Sequence, residues 1–513
     1  MPPWHDVGVS EKQHKADHRS RPNNAQFRAF VAADWAPRSP SKPALAQAAP
    51  YAALRRAAVS AAFPGERLVI PAGGLKVRSN DCDYVFRPHS AFAHLTGLGS
   101  DREPDAVLVL EPREDGSHES ILYFRPLAGR DTEEFFGDSR YGEFWVGARP
   151  GLADVEAELA LSARHIEELA EGVGKDVGTT VIRIVRDADR DLTAAVDAIR
   201  EGAAESDQSS ESHVLHDADH VADDELAHFL STLRLVKDEW ETQQMREAVQ
   251  ATATGFDAVI ADLPEALRRG RGERWVEGVF GLHARHQGNG VGYDSICAAG
   301  DHANTLHWIK NTGDLTDGDL LLLDAGVEVD SLFTADVTRT LPVNGRFSDA
   351  QRKVYDAVYA AQEAGIAAVK PGAKFSDVHD AAIRVIAEHL HAWGLLPEGV
   401  DVEATLDKET GNYHRRWMVH GTSHHLGLDV HDCALARREE YLGAELAPGM
   451  ILTVEPGLYF KADDHLVPEE LRGIGVRIED DILVTPDGCE NLSAAMPRTS
   501  TDVEAWIARL QAS

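Results

Sequence analysis

Two domains, the second of α+β type, are what these 513 residues predict, and three observations carry that reading. The length exceeds the roughly 250–300 residues at which a single hydrophobic core stops growing. Apolar strands and amphipathic helices are interleaved along the second half without a regular βαβ count. Between Ala204 and Leu226 there are eight acids and no Lys or Arg, which reads as a solvated linker between two structured halves.

Taken in order, residues 1–45 are polar, rich in His, Pro and Ser, and lack sustained periodicity. They read as a flexible extension with a short ordered piece around Phe27 to Trp35. Residues 46–203 read as an α/β domain. Leu54 to Phe63 predicts a helix ended by Pro64-Gly65, and Arg67 to Ile70 a strand. Ala106 to Leu110 and Ile121 to Phe124 are further apolar strands, and Asp154 to Ala170 is a helix with its aspartate at the start. The acidic linker occupies 204–226 and the second domain 227–513. There, Asp238 and Glu241 form a capping box that opens a long helix, whose apolar face is Met245, Ala248, Val249, Phe256, Val259 and Ile260. A helix near Gln351 to Val369 stops at Pro371-Gly372, and Ser376 caps another that runs to about Trp393. Short strands follow the pattern Leu320–Leu323, Thr338–Leu341, Ile451–Val454 and Val476–Val484.

Composition bounds the function. With 85 Asp and Glu against 51 Lys and Arg, the formal charge is −34. That argues against nucleic-acid backbones and anionic membranes, which need clustered cations, and favours solubility or the handling of cations. Cys82, Cys297, Cys433 and Cys489 are far apart, so neither a disulfide framework nor a thiolate zinc site is indicated. The first residues lack the apolar stretch of a secretory signal, and no run of about 18 apolar residues occurs, so a cytoplasmic protein is expected. Gly288, Gly290 and Gly292 lead into a strand-like Tyr293 to Cys297, which is no dinucleotide fingerprint.

The chemistry concentrates in the second half. Asp324 ends four consecutive leucines, and Asp336 begins the next strand across a hairpin-length connection. A carboxylate beside such apolar residues is costly unless paired or coordinated. Glu455 ends the Met450–Val454 strand. Glu479 lies in Val476–Asp480, where strand geometry would put Arg477 and Glu479 on one face and Val476 and Ile478 on the other. His420 and His424, four apart, supply nitrogen ligands. Taken singly, each acid reads as solvated surface and each histidine as an ordinary core or surface residue. Their joint setting on apolar strands singles them out. Four carboxylates and one imidazole suit a pair of divalent cations, with Mn, Co or Mg favoured by oxygen ligation and Zn still open.

At these residues the chain resembles the proline-specific branch of the pita-bread metallopeptidases, the aminopeptidase P (Xaa-Pro aminopeptidase) family. The matching stretches are YDSICAAGDHANTLHW, LLLDAGVEV, ADVTRTLPVNGRF, HGTSHHLGLDVHD, LTVEPGLY and GVRIEDDILVT. SNDCDYVFRPHSAFAHLTGL and EPDAVLVLEP resemble the family's creatinase-like N-terminal domain more weakly. The resemblance implies a C-terminal pita-bread catalytic domain after a smaller α/β creatinase-like domain. It implies that Asp324, Asp336, His424, Glu455 and Glu479 bind two divalent ions, usually manganese, with Asp336 and Glu479 shared. It further implies that His307, His420 and His431 line the substrate pocket, that Arg477 supports the ligands, and that Tyr459 is a site tyrosine. Two departures stand out. Asp324 and Asp336 are twelve apart, one more than the family pattern, which a longer turn or bulge would absorb, and Ala91 stands where some relatives carry an acid.

The activity implied is release of the N-terminal residue from peptides with proline second. A hydroxide bridging two metal ions attacks, Glu455 shuttles the proton, and His431 or His420 hydrogen-bonds the carbonyl oxygen. His307 helps protonate the leaving imino nitrogen, and the substrate amine sits against a metal or Asp324. The alternatives are a prolidase confined to Xaa-Pro dipeptides, a metal-free pita-bread hydrolase, or a binding module without metals. Family members are often dimers or tetramers, so a homo-oligomer is expected.

Overall fold

The computed structural model describes residues 24–38, 43–80, 82–206 and 212–512, side chains of 203–218 excepted. The chain divides into two compact units, Met1–Leu230 and Ser231–Ser513.

In the first unit, Arg67–Pro71 is an inner strand of a five-stranded mixed sheet whose central strand is Val107–Pro112. It pairs antiparallel with Val107–Pro112 and parallel with Ile182–Ile184. His118–Phe124 pairs antiparallel with Val107–Pro112 and parallel with Ser162–His165. Leu68, Val69 and Ile70 are wholly buried, as a strand covered on both faces requires. The helix expected before Pro64-Gly65 spans Ala49–Ala62. Of the N-terminal extension, residues 1–23 lie outside the described residues. Ala25–Ala32 is helical, with Asn24 accepting from the Phe27 amide at 2.8 Å.

Two expectations in this half are corrected. The helix expected over Asp154–Ala170 is two helices, Leu152–Leu159 and Leu169–Gly174, with the strand Ser162–His165 between them. Ala160 takes a left-handed conformation (φ 52°) and ends the first helix, after which sheet pairing outweighs helical propensity. The acidic stretch at 204–226 is not an open linker either, since Ser212–Leu233 is helical. Asp223 is buried, accepting from the Ile184 amide at 2.8 Å and pairing with Arg186 and Arg200 at 2.9 and 2.7 Å. Its charge is matched by arginines distant in sequence, which composition within the stretch could not reveal.

In the second unit, Leu320–Ala325 lies between Ile296–Ala299 and Val337–Pro342, both antiparallel to it. Asp480–Thr485 lies between Ile451–Val454 and Gly488–Asn491, and Gly457–Phe460 pairs with Ile474–Arg477. The long helix Glu239–Arg269 starts at the Asp238/Glu241 capping box and buries its expected face. It packs on Gly272–Gln287, a helix the periodicity reading did not contain, while Asp349–Ala368 packs on Phe375–Ala392. The last of these starts two residues earlier than a Ser376 cap would allow. Lys374 holds the cap position, and its amide donates to Asp377 at 3.0 Å. Val476–Val484 is not one strand. It breaks at Ile478-Glu479, and its two parts belong to different sheets. Among the described residues, no helix is long and apolar enough to cross a membrane.

Candidate metal centre

The sheet register brings the first two acids together. Asp324 pairs with Thr338 and Ala325 with Val337, so Asp336 lies one residue beyond the last pair, at the same sheet end as Asp324. Gly326 permits this crossing: a Cβ there would meet the Ala335 carbonyl oxygen at 1.6 Å. The twelve-residue spacing closes in a turn at Val329–Phe333, where the Val329 amide donates to the Phe333 carbonyl at 3.0 Å and Leu332 adopts φ 76°.

The second sheet supplies the rest. Glu455 follows the Ile451–Val454 strand, and its amide donates to Thr422 at 2.8 Å. Beside it, the Thr453 amide donates to the His424 carbonyl at 2.9 Å and the His424 amide to Thr453 Oγ1 at 3.2 Å. His424 therefore rides on an irregular segment laid along a strand, neither helix nor strand itself. Glu479 occupies the break between two strands, its amide donating to the Thr338 carbonyl at 3.1 Å.

Asp336, His424 and Glu479 each offer a ligand atom within 4.8 Å of the others. His424 Nε2 is 3.4 Å from Asp336 and 3.9 Å from Glu455. Asp324 stands at the margin, paired with Arg477 and accepting from the Tyr293 hydroxyl at 2.7 Å, while Asp336 accepts from that hydroxyl at 2.5 Å. Arg477 also donates to Thr338 Oγ1 and the Tyr459 hydroxyl, both at 3.2 Å. Thr338 in turn donates to Glu479 at 2.7 Å. His420 is 3.6 Å from Glu455. Its Nδ1 meets the Gly421 carbonyl at 2.5 Å and its Nε2 the Tyr459 hydroxyl at 2.7 Å. His431 lies edge-on to His424 at 4.4 Å between centroids, and His307 is exposed.

Sequence reasoning missed three members of this cluster. Tyr293 bridges the two aspartates, Thr338 links Arg477 to Glu479, and Asp481 is buried with an oxygen accepting from the Asp336 amide at 3.2 Å. Tyr293 opens one of the resemblance stretches but carries no charge to draw notice. The Glu479-Asp480-Asp481 run, three successive acids inside an apolar strand pattern, was a usable signal.

Crowding of like charge dominates the electrostatics. Burial, with Asp336, Glu455 and Asp324 nearby, holds the Glu479 carboxyl well above its usual range. Burial raises Asp324 despite Arg477, and it lifts Glu455 to about 7. For His424 burial opposes the charge, but the hydrogen bond and charge of Asp336 outweigh it and hold the imidazole at about 9. Burial and the nearby Arg477 push His420 down to about 3, so it is neutral. Burial, with the neighbouring His424, also lowers His431. The carboxylates thus outnumber the cations that face them, and Asp481 adds a buried oxygen without a hydrogen-bond partner. A donor set of carboxylate oxygens around one imidazole, short of positive charge, fits divalent cations.

Known proteins are similar to this chain in sequence and fold. The description "Metallopeptidase family M24" matches residues 243–486, and "Aminopeptidase P, N-terminal domain" matches residues 52–181. Xaa-Pro aminopeptidase 2 of Streptomyces coelicolor is 51% identical over 486 residues, which is 95% of this chain and 97% of that protein. The Escherichia coli Xaa-Pro aminopeptidase is 34% identical, over 88% of this chain and 96% of its own. Among solved structures, a histidine-to-alanine variant of Escherichia coli aminopeptidase P superposes with a TM-score of 0.76 at 29% identity, covering 92% of this chain and all of that one. Pseudomonas aeruginosa aminopeptidase PepP gives 0.76 at 30% identity, over 91% of this chain and 100% of its own. The expected architecture, an aminopeptidase P N-terminal domain before a pita-bread domain, is borne out by these matches.

Proposed function

The chain belongs to metallopeptidase family M24, and we propose that it is a dinuclear aminopeptidase removing the N-terminal residue from peptides with proline second. The observation that carries this reading is the buried carboxylate excess around His424, supported by Xaa-Pro aminopeptidases alike over nearly the whole chain. Asp324, Asp336, His424, Glu455 and Glu479 would hold two divalent ions, with Mn²⁺ the first choice for so oxygen-rich a set. When bound, such ions supply Lewis acidity toward water and the scissile carbonyl.

The chain's own residues do the rest. Glu455, 3.6 Å from His420 and 3.9 Å from His424, is the carboxylate placed to accept the proton of the attacking water and pass it on. His420 has both ring nitrogens engaged, which leaves His431 as the donor to the carbonyl oxygen as it gains charge. Arg477 anchors Asp324 and fixes the Tyr459 hydroxyl against His420. A bond to proline needs a proton delivered to a nitrogen that carries none, and His307 is the residue for that step. The reading includes a homo-oligomer, dimer or tetramer, checked by light scattering. It also includes a cytoplasmic setting, consistent with four free thiols.

The test is hydrolysis of Xaa-Pro and Xaa-Pro-Yaa peptides by metal-stripped protein with Mn²⁺ restored. Release of Xaa from the tripeptide, with about two ions bound per chain, is expected. Cleavage of the dipeptide alone would replace this reading with a dipeptidase, and no cleavage with any divalent ion would end it.

A further inference from the structure

We propose that Glu273 is the positioning residue for His307, a role that rests on the peptidase reading above. His307 sits in the connection at 300–319 between the paired strands Ile296–Ala299 and Leu320–Ala325. Beyond the short 3-10 helix Gly300–Asn304 this connection has no regular structure of its own. Long loops of that kind are where conformational multiplicity lives. Yet the role proposed above needs His307 held in one place, toward the other site histidines.

Glu273, in the first turn of the Gly272–Gln287 helix, is wholly buried. Its carboxylate is saturated by this one connection and the strand that enters it. One oxygen accepts from the Ala299 amide at 2.9 Å and His302 Nδ1 at 2.7 Å. The other accepts from Trp308 Nε1 at 2.9 Å and the Gly313 amide at 2.5 Å. The Glu273 amide completes the tie by donating to the Gly313 carbonyl at 3.2 Å. Four acceptor positions are all that a carboxylate has. His302 and Trp308 stack at 3.9 Å between centroids, so the two side-chain donors also brace each other. Gly313 has no room for a side chain, since a Cβ would meet the Glu273 carboxyl carbon at 2.7 Å. On the returning limb, buried Asn311 accepts from the Cys297 amide at 3.0 Å and donates to the Ser295 carbonyl at 2.9 Å. The chain is thereby fixed on both sides of His307, at Trp308 next to it and at His302 before it. Glu273 touches no reacting atom and acts through this frame.

The test is Glu273→Gln, which keeps the shape but turns an NH2 group toward donors, examined alone and with His307→Ala on Xaa-Pro-Yaa peptides in the Mn²⁺-loaded protein. Misplacing a catalytic group costs about 10- to 100-fold in kcat, and that fall is expected with KM little changed. In the His307→Ala background the same change should cost less than about 2-fold, because the positioned group is gone. Equal losses in both backgrounds would mean general damage and overturn the proposal, as would an unchanged kcat. Trp308→Phe removes one donor while keeping the stack, and it should show a smaller, equally non-additive loss if the glutamine variant fails to fold. Hydrogen exchange supplies a readout free of activity: the Ala299 and Gly313 amides should exchange faster in Glu273→Gln. Were the parent protein to cleave no peptide, the peptidase reading would fall, and unchanged exchange at these amides would still overturn the positioning role.

Discussion

Glu479 and Asp480 are adjacent and both buried, yet they stand in opposite electrostatic circumstances. Asp480 accepts from Arg339 at 2.7 Å, Gln362 at 3.1 Å and Asn491 at 2.9 Å, with Arg498 at 3.2 Å. Arg339 is itself wholly buried and spends its remaining donors on the carbonyls of Thr338, Glu479, Met496 and Pro497. Glu363, 2.6 Å from Arg498, balances the second arginine, so this knot is neutral. Glu479 accepts from Thr338 and faces Asp324, Asp336 and Glu455, with His424 and Arg477 near it to offset three acids. The scaffold compensates its buried charge within the chain, whereas the site leaves a deficit that retained protons or bound cations must offset. The knot also grips the Glu479 carbonyl, so the compensated region holds the uncompensated one in place.

That contrast breaks most visibly in mutants. Glu479→Ala should lower Mn²⁺-dependent cleavage by about 10³-fold or more while leaving the metal-free protein as stable as before or more so, since a crowded acid has gone. Asp336→Ala should likewise abolish cleavage in a folded protein. Asp480→Ala should do the reverse, costing about 3–5 kcal/mol by stranding Arg339, read by chemical denaturation. A Glu479 variant that unfolds, or an Asp480 variant that is fully stable, would dissolve the distinction between site and scaffold.

A finer probe is pH. Glu455 and His424 are both raised in the folded protein, to about 7 and about 9. Each binds its proton more tightly folded than unfolded, so each stabilises below its unfolded pKa, and that stabilisation is lost as pH rises through the folded value. Burial pushes His414, His420 and His425 the other way, to about 4, 3 and 3, and their contribution grows as pH rises toward about 6.5. The metal-free protein should therefore lose melting temperature above that, between about pH 6.5 and pH 9. Glu455 and His424 must both shed protons to act as ligands, so Mn²⁺ should raise the melting temperature more as pH increases. A metal-free melting temperature that climbs across this range would contradict the charge deficit.

The deficit was partly legible beforehand. Asp324 and Glu455 announced themselves as acids at the ends of apolar strands, and Asp336 followed from the hairpin. His424 was offered only together with His420, because its place depends on a segment bonded along Ile451–Val454, and the family resemblance chose between the two. Tyr293 was unreadable for a similar reason: its contact with two aspartates exists only once Gly326 lets the strands cross. The strand Ser162–His165 escaped because Ala163 is the one residue of the four that is buried, too little to set a period. Glu273 resembled any acid in the first turn of a helix, and its partners are 26 to 40 residues away.

Asp481, the third acid of the run, sharpens the contrast by falling between its two cases. One oxygen accepts from the Asp336 amide at 3.2 Å, as a scaffold group would, and the other is buried without a partner, as in the site. Burial, with Asp336 and Asp480 close by, holds its carboxyl well above the usual range. An asparagine has nearly the same shape, keeps one acceptor for the Asp336 amide and adds no charge. Asp481→Asn should accordingly cost less than about 1 kcal/mol and leave Mn²⁺-dependent kcat within about 3-fold, by the same energy scale. Were Asp481 instead ionised when the centre is loaded, the substitution would weaken Mn²⁺ binding measurably by calorimetry, and Asp481 would join the site's acids rather than the scaffold's. The neutral outcome is expected, because the Asp481 amide is tied to Ser493 at 3.1 Å and Asp480 beside it already takes the nearby arginines.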